Sequence, residues 1–132
     1  LRQTHPDVVL ATPAWAAADA LPEMGGQSVE GLFTSQVFDL NDTGDAFKSF
    51  RSQYQARFGQ DVDTAAVTGY NATHVLLHAI AARQPDEHLK QTLLRIHRFE
   101  GLQQPIVFDA FGDNNNRNYL RVVKHGRFID PE

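Results

Sequence analysis

The sequence predicts an α/β fold in which parallel strands are flanked by helices and a β-hairpin ends the chain. Two short apolar runs enclose a segment rich in helix formers within residues 7–38. Three segments with helical spacing then follow in residues 42–97, and residues 118–129 alternate around a turn. Because a strand–helix–strand connection normally joins parallel strands, we expect a parallel pair at the start of the chain.

The first strand is predicted in DVVLAT, residues 7–12. A short β-branched run that ends at a proline, here Pro13, is typical of a strand buried on both faces. AWAAADALPEMGG, residues 14–26, contains good helix formers and ends in two glycines, which predicts a helix and its stop. VEGLFTSQVF, residues 29–38, is predicted to form the second strand.

The clearest helical pattern lies between Asp42 and Gly59. Asp42 or Thr43 can cap this helix and Gly59 can end it. Its aromatic residues recur at three- and four-residue spacing: Phe47, Phe50, Tyr54 and Phe58. The next helix is predicted over residues 64–82, where apolar residues cover most of the surface. Such a pattern predicts burial on more than one side.

A third helix is predicted from Pro85-Asp86, because leucines and an isoleucine follow on one face. PIVFD, residues 105–109, is predicted to be a short strand. The segment GDNNNR, residues 112–117, is rich in residues that tolerate left-handed backbone and is predicted to be a turn. NYLRVVKHGRFI, residues 118–129, alternates around His125-Gly126, as a hairpin does.

Composition excludes several classes of function. The formal charge is −4, and no run of Lys and Arg is interleaved with aromatic residues, so we expect no nucleic-acid partner. The absence of cysteine excludes disulfides, thiolate metal sites and a cysteine nucleophile. No apolar run approaches the roughly 20 residues that a membrane span requires, and LRQTHPD lacks the features of a signal peptide. We expect the chain to be a piece of a longer protein.

His74 and His78 share one face of the second helix at the spacing of a possible metal site. Val75 lies where the zinc-protease motif requires a glutamate, and no carboxylate neighbours the histidines in sequence. We therefore expect no metal there. The alternative is that Asn71, His74 and His78 form the polar edge of an otherwise buried helix.

No catalytic motif is present in the sequence. Asp109, Asp113 and residues 114–116 could supply oxygen ligands to calcium, but their spacing does not fit an EF-hand loop, and an Asn/Asp turn explains them better. There is no Gly-x-Ser-x-Gly elbow and no glycine-rich phosphate loop. We expect no catalytic residue and no cofactor. A small α/β enzyme remains an alternative, and it would bring His and carboxylate side chains together in one pocket.

Five segments, in this order, resemble the C-terminal part of the type I periplasmic binding proteins: VEGLF, FKSFRSQYQARFG, GYNATHVLLHAIAA, LKQTLLRIHRFEGLQQPIVFDAFGD and YLRVVKHGRFI. The leucine/isoleucine/valine-binding receptors of ABC transporters are the most similar branch. The resemblance implies two α/β lobes joined by three crossovers, of which this chain is roughly the last third. Residues 1–40 would belong to lobe two, residues 41–117 would return to lobe one, and residues 118–132 would form a hairpin near the hinge.

The resemblance also implies ligand-binding residues. Tyr70 matches an aromatic residue near the start of its helix that faces the cleft and packs on the ligand, with core packing as the alternative. The loop after the first strand is the second group: Thr12, Pro13, Ala14 and Trp15. Ligands of α/β folds bind at such carboxyl ends of strands, although Trp15 could instead pack at the start of its helix. Amino-acid-binding members use an acid in this region, and Asp19 is the first acid after this strand.

The function that the resemblance implies is that of an extracytoplasmic solute-binding protein for uptake by an ABC transporter. Its ligand would be small and polar or amphipathic, amino-acid-like or a small carboxylate, and its location periplasmic or extracellular. Expected partners are the transporter permease or a signalling protein. A second copy, or the missing part of the parent chain, would cover apolar faces. A ligand-binding sensor domain of a membrane signalling protein is the alternative within the same fold.

Overall fold

The structure is a computed structural model of the 132-residue chain, and it describes residues 4–5, 7–18, 20–114 and 116–131. The strands are β1 (Ala11–Thr12), β2 (Phe33–Gln36), β3 (Arg98–Phe99), β4 (Ile106–Val107), β5 (Tyr119–Lys124) and β6 (Arg127–Ile129). The α-helices are α1 (Leu21–Gly25), α2 (Asp45–Phe58), α3 (Thr64–Ala81) and α4 (Leu89–Ile96). Two 3₁₀ helices cover Ala14–Ala16 and Gly26–Val29. The chain divides into two compact units, residues 1–37 with 118–132 and residues 38–117.

The first unit contains a four-stranded sheet in the order β1-β2-β5-β6. β1 and β2 are parallel, with Ala11 opposite Phe33, which confirms the parallel pair predicted from the sequence. β5 is antiparallel to β2 and to β6. The predicted hairpin is also confirmed: it turns at His125 (φ 53°) and Gly126 (φ 72°), the pair of positive φ angles that a two-residue turn with the twist of the strands requires.

β1 is shorter than the predicted strand and is not buried on both faces. Exposure alternates along the predicted strand: Val9 is 75% exposed and Ala11 is exposed, whereas Leu10 and Thr12 are half-buried. In the described sheet, β1 is an edge strand and pairs with β2.

The helix predicted over residues 14–26 is broken in two. A 3₁₀ helix covers Ala14–Ala16 and α1 begins only at Leu21. Pro22 lies in the first turn of α1, where its missing N–H costs nothing, but it would interrupt a helix that had started earlier. Asp19 lies outside the described residues.

The second unit contains α2, α3, α4 and the β3–β4 hairpin. α2 is confirmed, and Gly59 ends it in the left-handed conformation (φ 70°). The predicted caps are wrong, because Gly44 is the N-cap and the Asp42 carboxylate instead accepts a hydrogen bond from the Gly44 N–H. β4 confirms part of the strand predicted in PIVFD.

α3 begins at Thr64 as predicted and is capped by the Asp63 carboxylate, which accepts from the Ala66 N–H at 2.7 Å. The prediction that several sides are buried is wrong. Only one stripe is buried, at Val67, Val75 and Ala79. Three large apolar side chains point away from it and are exposed by 42–61%: Leu76, Leu77 and Ile80. No described part of the second unit covers this face.

α4 begins at Leu89, four residues after the predicted start. Asp86 has a positive φ of 63°, which a helix cannot contain, and His88 is the N-cap. The second unit has two buried clusters. One contains Phe38, Phe47, Val62, Val67 and Leu102, and the other contains Val75, Ala79, Phe99 and Ile106.

Candidate functional site

Tyr70 lies in the second turn of α3, and its side chain is 44% exposed. Its ring packs on Phe50 of α2, with ring centroids 4.7 Å apart and planes tilted by 50°. The ring of His74 lies parallel to it, tilted by only 4°, at a centroid distance of 6.1 Å. Tyr70 is therefore supported from α2 and still presents ring surface to solvent.

Tyr70 is one member of a row of rings that we call the aromatic ladder. The ladder consists, in order, of Phe58, Tyr54, Phe50, Tyr70 and His74. Successive ring centroids are 4.7, 5.9, 4.7 and 6.1 Å apart. Residues four apart on a helix are neighbours on its surface, so the spacing within α2 and within α3 produces most of this row. The ladder therefore runs from α2 onto α3 and includes Tyr70.

The loop Thr12–Trp15 belongs to the first unit. Thr12 ends β1 opposite Thr34, and Pro13 is extended (φ −71°, ψ 160°) directly before the 3₁₀ helix. Trp15 is 86% exposed, which contradicts the alternative that it packs at the start of its helix. Thr12 and Ala14 are half-buried. The loop thus presents an exposed indole at the carboxyl end of a parallel strand, while Tyr70 lies in the other unit.

The polar residues of α3 have separate roles. Asn71 is half-buried, and its side-chain oxygen accepts a hydrogen bond from the Leu102 N–H at 3.0 Å. His78 is exposed, with its ring edge-on to Phe99 at 5.4 Å. Within the part of the chain that the structure describes, no three His, Asp or Glu side chains are grouped as a metal ion would require.

The Asp109 region is a turn, as the sequence predicts. Asp109 Oδ1 accepts hydrogen bonds from the backbone N–H groups of Phe111 (2.8 Å) and Asp113 (2.9 Å). These N–H groups, first that of Asp113, lower the pKa of Asp109. The carboxylate is thus used to close the turn. Among the residues whose oxygens could bind calcium, Asn115 lies outside the described residues.

A shallow depression of about 630 Å³ lies in the first unit, open to solvent and away from Thr12–Trp15. It is lined by Gly26, Gln27, Glu30, His125 and Gly126. The Glu30 carboxylate accepts from the His125 N–H at 3.0 and 3.1 Å, which fastens the hairpin turn to the start of β2. This depression and the predicted ligand-binding loop lie at opposite ends of β2, so the structure does not bring them together.

Sequence reasoning missed two features around these residues. One is the parallel ring pair of Tyr70 and His74, for which the i, i+4 spacing was the available signal. The other is Arg121, which is buried in β5 and forms an ion pair with Asp130 after β6. No local pattern identifies such a pair, because its partners come together only through the hairpin register.

Comparison with known proteins gives one family. A family model described as periplasmic binding protein matches residues 3–126. A leucine-binding protein, LivK, from Thermotoga maritima is 25% identical over 99% of this chain, with a TM-score of 0.83. LivJ from Streptococcus pneumoniae, solved with isoleucine, is 17% identical over 96% of this chain, with a TM-score of 0.79.

A solute-binding protein from R. palustris, solved with benzoate, is 20% identical over 96% of this chain, with a TM-score of 0.71. The chain spans only 36–38% of the length of these three proteins. Among the described residues, no helix combines the length and the apolar character that crossing a membrane demands.

Proposed function

Because the chain belongs to the periplasmic binding protein family, we propose that it is the C-terminal part of an extracytoplasmic solute-binding protein that captures a small ligand for uptake by an ABC transporter. The single observation that carries this proposal is the family match over nearly the whole chain. We call the longer protein the parent protein. In it, residues 1–40 form part of lobe two, residues 41–117 return to lobe one, and residues 118–132 form the C-terminal hairpin near the hinge.

The ligand in this proposal contacts Tyr70 and the loop after β1. The loop residues are Thr12, Pro13, Ala14 and Trp15. The exposed ring surface of Tyr70, backed by Phe50, supports its role, since a rigid ring offers apolar contact area at little entropic cost. The exposed indole of Trp15 and its place at the carboxyl end of a parallel strand support the role of the loop.

The ligand class in this proposal is a small carboxylate with an apolar body, either amino-acid-like or aromatic. The names and bound molecules of the similar proteins support it, because leucine, isoleucine and benzoate all combine a carboxylate with an apolar body. The exposed ring of Tyr70 on α3 offers apolar surface to such a body. The protein binds its ligand without transforming it, in a periplasmic or extracellular location that the family name indicates.

The remaining part of the parent protein covers the exposed apolar face of α3 in this proposal. Leu76, Leu77 and Ile80 give this face a run of apolar side chains, and leaving apolar area in water costs roughly 25 cal/mol per Å². The chain spans little more than a third of the length of its similar proteins, so a longer protein has enough residues to cover it. When the chain is isolated, a second copy of it would cover the same face.

A thermal-shift screen of the parent protein tests this function. The screen compares leucine, isoleucine, benzoate and 4-hydroxybenzoate with uncharged analogues such as benzamide. We expect at least one carboxylate to raise the melting temperature, because a ligand that binds only the native state stabilises it. The matched amide should do so much less, and the isolated chain should show no shift. A parent protein that responds to none of these molecules would contradict the proposed ligand class.

A further inference from the structure

We propose that Gln103 and Gln104 are positioning residues, which limit bending between the two lobes of the parent protein to one residue on each of two crossings of the chain. This inference rests on the proposed function, in which the ligand contacts residues of both lobes. It concerns how closure of the lobes sets the affinity, and it assigns that control to two side chains outside the proposed ligand contacts.

The chain passes between its two units at two places. It leaves the first unit after Val37, directly after β2 ends at Gln36, and returns to it at Asn118, directly before β5 begins at Tyr119. β2 and β5 are neighbours in the sheet, and Gln36 lies opposite Tyr119. The two crossings therefore start side by side from one pair of strands.

Two glutamines fasten these crossings within the second unit, each through both polar atoms of its side chain. Gln103 Oε1 accepts from the Asp39 N–H at 2.9 Å, and Gln103 Nε2 donates to the Asp39 carbonyl oxygen at 2.6 Å. Gln104 Oε1 accepts from the Arg117 N–H, and Gln104 Nε2 donates to the Arg117 carbonyl oxygen, both at 3.1 Å. Each amide thus pairs with one backbone residue as a neighbouring strand would. We call these two pairs the glutamine clamps.

The segment that carries the two glutamines is itself held in place. Leu102 is buried in the core of the second unit, and its N–H donates to the Asn71 side chain at 3.0 Å. A Cβ at Gly101 would lie 2.4 Å from the Gln104 carbonyl oxygen, so this turn is closed at a distance that only glycine allows. The glutamine clamps are therefore attached to a fixed support.

The glutamine clamps leave few residues that can bend. Phe38 is buried in the core of the second unit and Asp39 is clamped, so Val37 alone separates β2 from the fixed part of the first crossing. On the second crossing, Asn118 alone separates the clamped Arg117 from β5. Val37 and Asn118 are both exposed. We call these two residues the hinge positions, because a few residues at the ends of elements absorb hinge motions.

A short, anchored hinge raises the affinity for a ligand that requires closure. Each backbone residue that is free in the open state loses conformational entropy when the lobes close. Loss of a clamp frees further residues of a crossing, which increases this entropy loss and lowers the fraction of protein in the binding-competent state. We expect Gln103→Met/Gln104→Met to weaken ligand binding by about tenfold. Methionine suits this comparison because it has nearly the size of glutamine but no amide group.

Distance measurement between spin labels in the ligand-free parent protein tests this inference, together with calorimetric titration with leucine and benzoate. Lys48→Cys places one label on α2 in the second unit, and Arg127→Cys places the other on β6 in the first, both at exposed positions. The double variant should widen the distribution of label distances by roughly twofold, and each single variant by less. Gln53→Met is the matched control, because Gln53 is an exposed glutamine that donates to Ser49 of its own helix.

An unchanged distance distribution in the double variant would overturn the inference and leave the proposed function intact. An unchanged affinity in a variant with a wider distribution would do the same. If the double variant does not unfold cooperatively, the single variants Gln103→Met and Gln104→Met decide by the same two measurements. Failure of the unchanged parent protein to bind leucine or benzoate would contradict the proposed ligand class, whereas the ligand-free distances would still support or overturn the role of the glutamine clamps.

Discussion

The carboxylate of Glu87 holds the segment before α4 to the last turn of that helix. It accepts hydrogen bonds from the Arg95 guanidinium at 2.8 and 2.9 Å, from the Thr92 hydroxyl at 2.8 Å and from the Gln84 N–H at 3.1 Å. These donors, Arg95 first, lower the pKa of Glu87 to about 2 from 4.5. Because the folded-state pKa lies below the unfolded one, the contribution of Glu87 to stability is present above the unfolded pKa and is lost as the pH falls towards 2.

Glu87→Gln is therefore expected to lower the free energy of unfolding at neutral pH and to reduce the loss of stability on acidification. Glutamine keeps the size of the side chain but cannot pair with the Arg95 charge. Urea unfolding at about pH 7 and about pH 3 measures both effects. The control is Glu100→Gln, an exposed acid for which no ion pair is observed in the described residues. Identical pH dependence in Glu87→Gln and the unchanged protein would contradict this role.

At the residue scale, the sequence supplies a hypothesis for the ligand-contacting residues but does not supply their geometry. Tyr70 and Trp15 are proposed from the family resemblance, and their exposure is compatible with ligand contact. The parallel orientation of His74 depends on side-chain torsions and on support from α2, which the sequence of α3 alone does not contain. Arg121 is a second example, because its pairing with Asp130 depends on the register of two strands.

Two glycines in the second unit differ in whether the backbone tolerates a side chain at their position. Gly59 ends α2 with φ 70°, a conformation in which a Cβ is strained. Gly69 lies inside α3, where an added Cβ would meet no atom within 4 Å. We expect Gly59→Ala to destabilise the fold by about 1 kcal/mol, and Gly69→Ala to stabilise the isolated chain by roughly 0.5–1 kcal/mol. Thermal unfolding of both variants checks the signs, and equal signs would contradict these backbone assignments.

At the element scale, the sequence predicted the extents of α2 and α3 well, although the residues predicted to cap α2 were wrong. Gly59 ends α2, and the boundaries of α3 differ from the prediction by one residue at its end. The start of α4 and the length of β1 were predicted less well. A positive φ at Asp86 delays α4, and β1 is an edge strand of the described sheet. Both depend on tertiary contacts, which a local pattern of apolar residues does not reveal.

For the whole chain, the exposed apolar faces predict association when the chain is produced alone. Leu77 is 61% exposed and Ile80 is 54% exposed on the uncovered face of α3. We expect the isolated chain to form dimers or larger species in light scattering, and the double variant Leu77→Gln/Ile80→Gln to shift it towards monomer. Phe111→Gln is the control, since Phe111 is 85% exposed but lies on a loop. A well-folded monomer at all concentrations would contradict the proposal that these faces require a partner.

Calorimetric titration of the parent protein with its best carboxylate, before and after Tyr70→Ala, tests the central claim most directly. The account predicts one bound ligand per parent protein and an affinity that falls at least about tenfold in Tyr70→Ala. Phe58→Ala, at the far end of the aromatic ladder, should change the affinity by less than about twofold. Equal affinities for Tyr70→Ala and the unchanged protein would show that the ligand does not contact the Tyr70 ring, and would contradict the account.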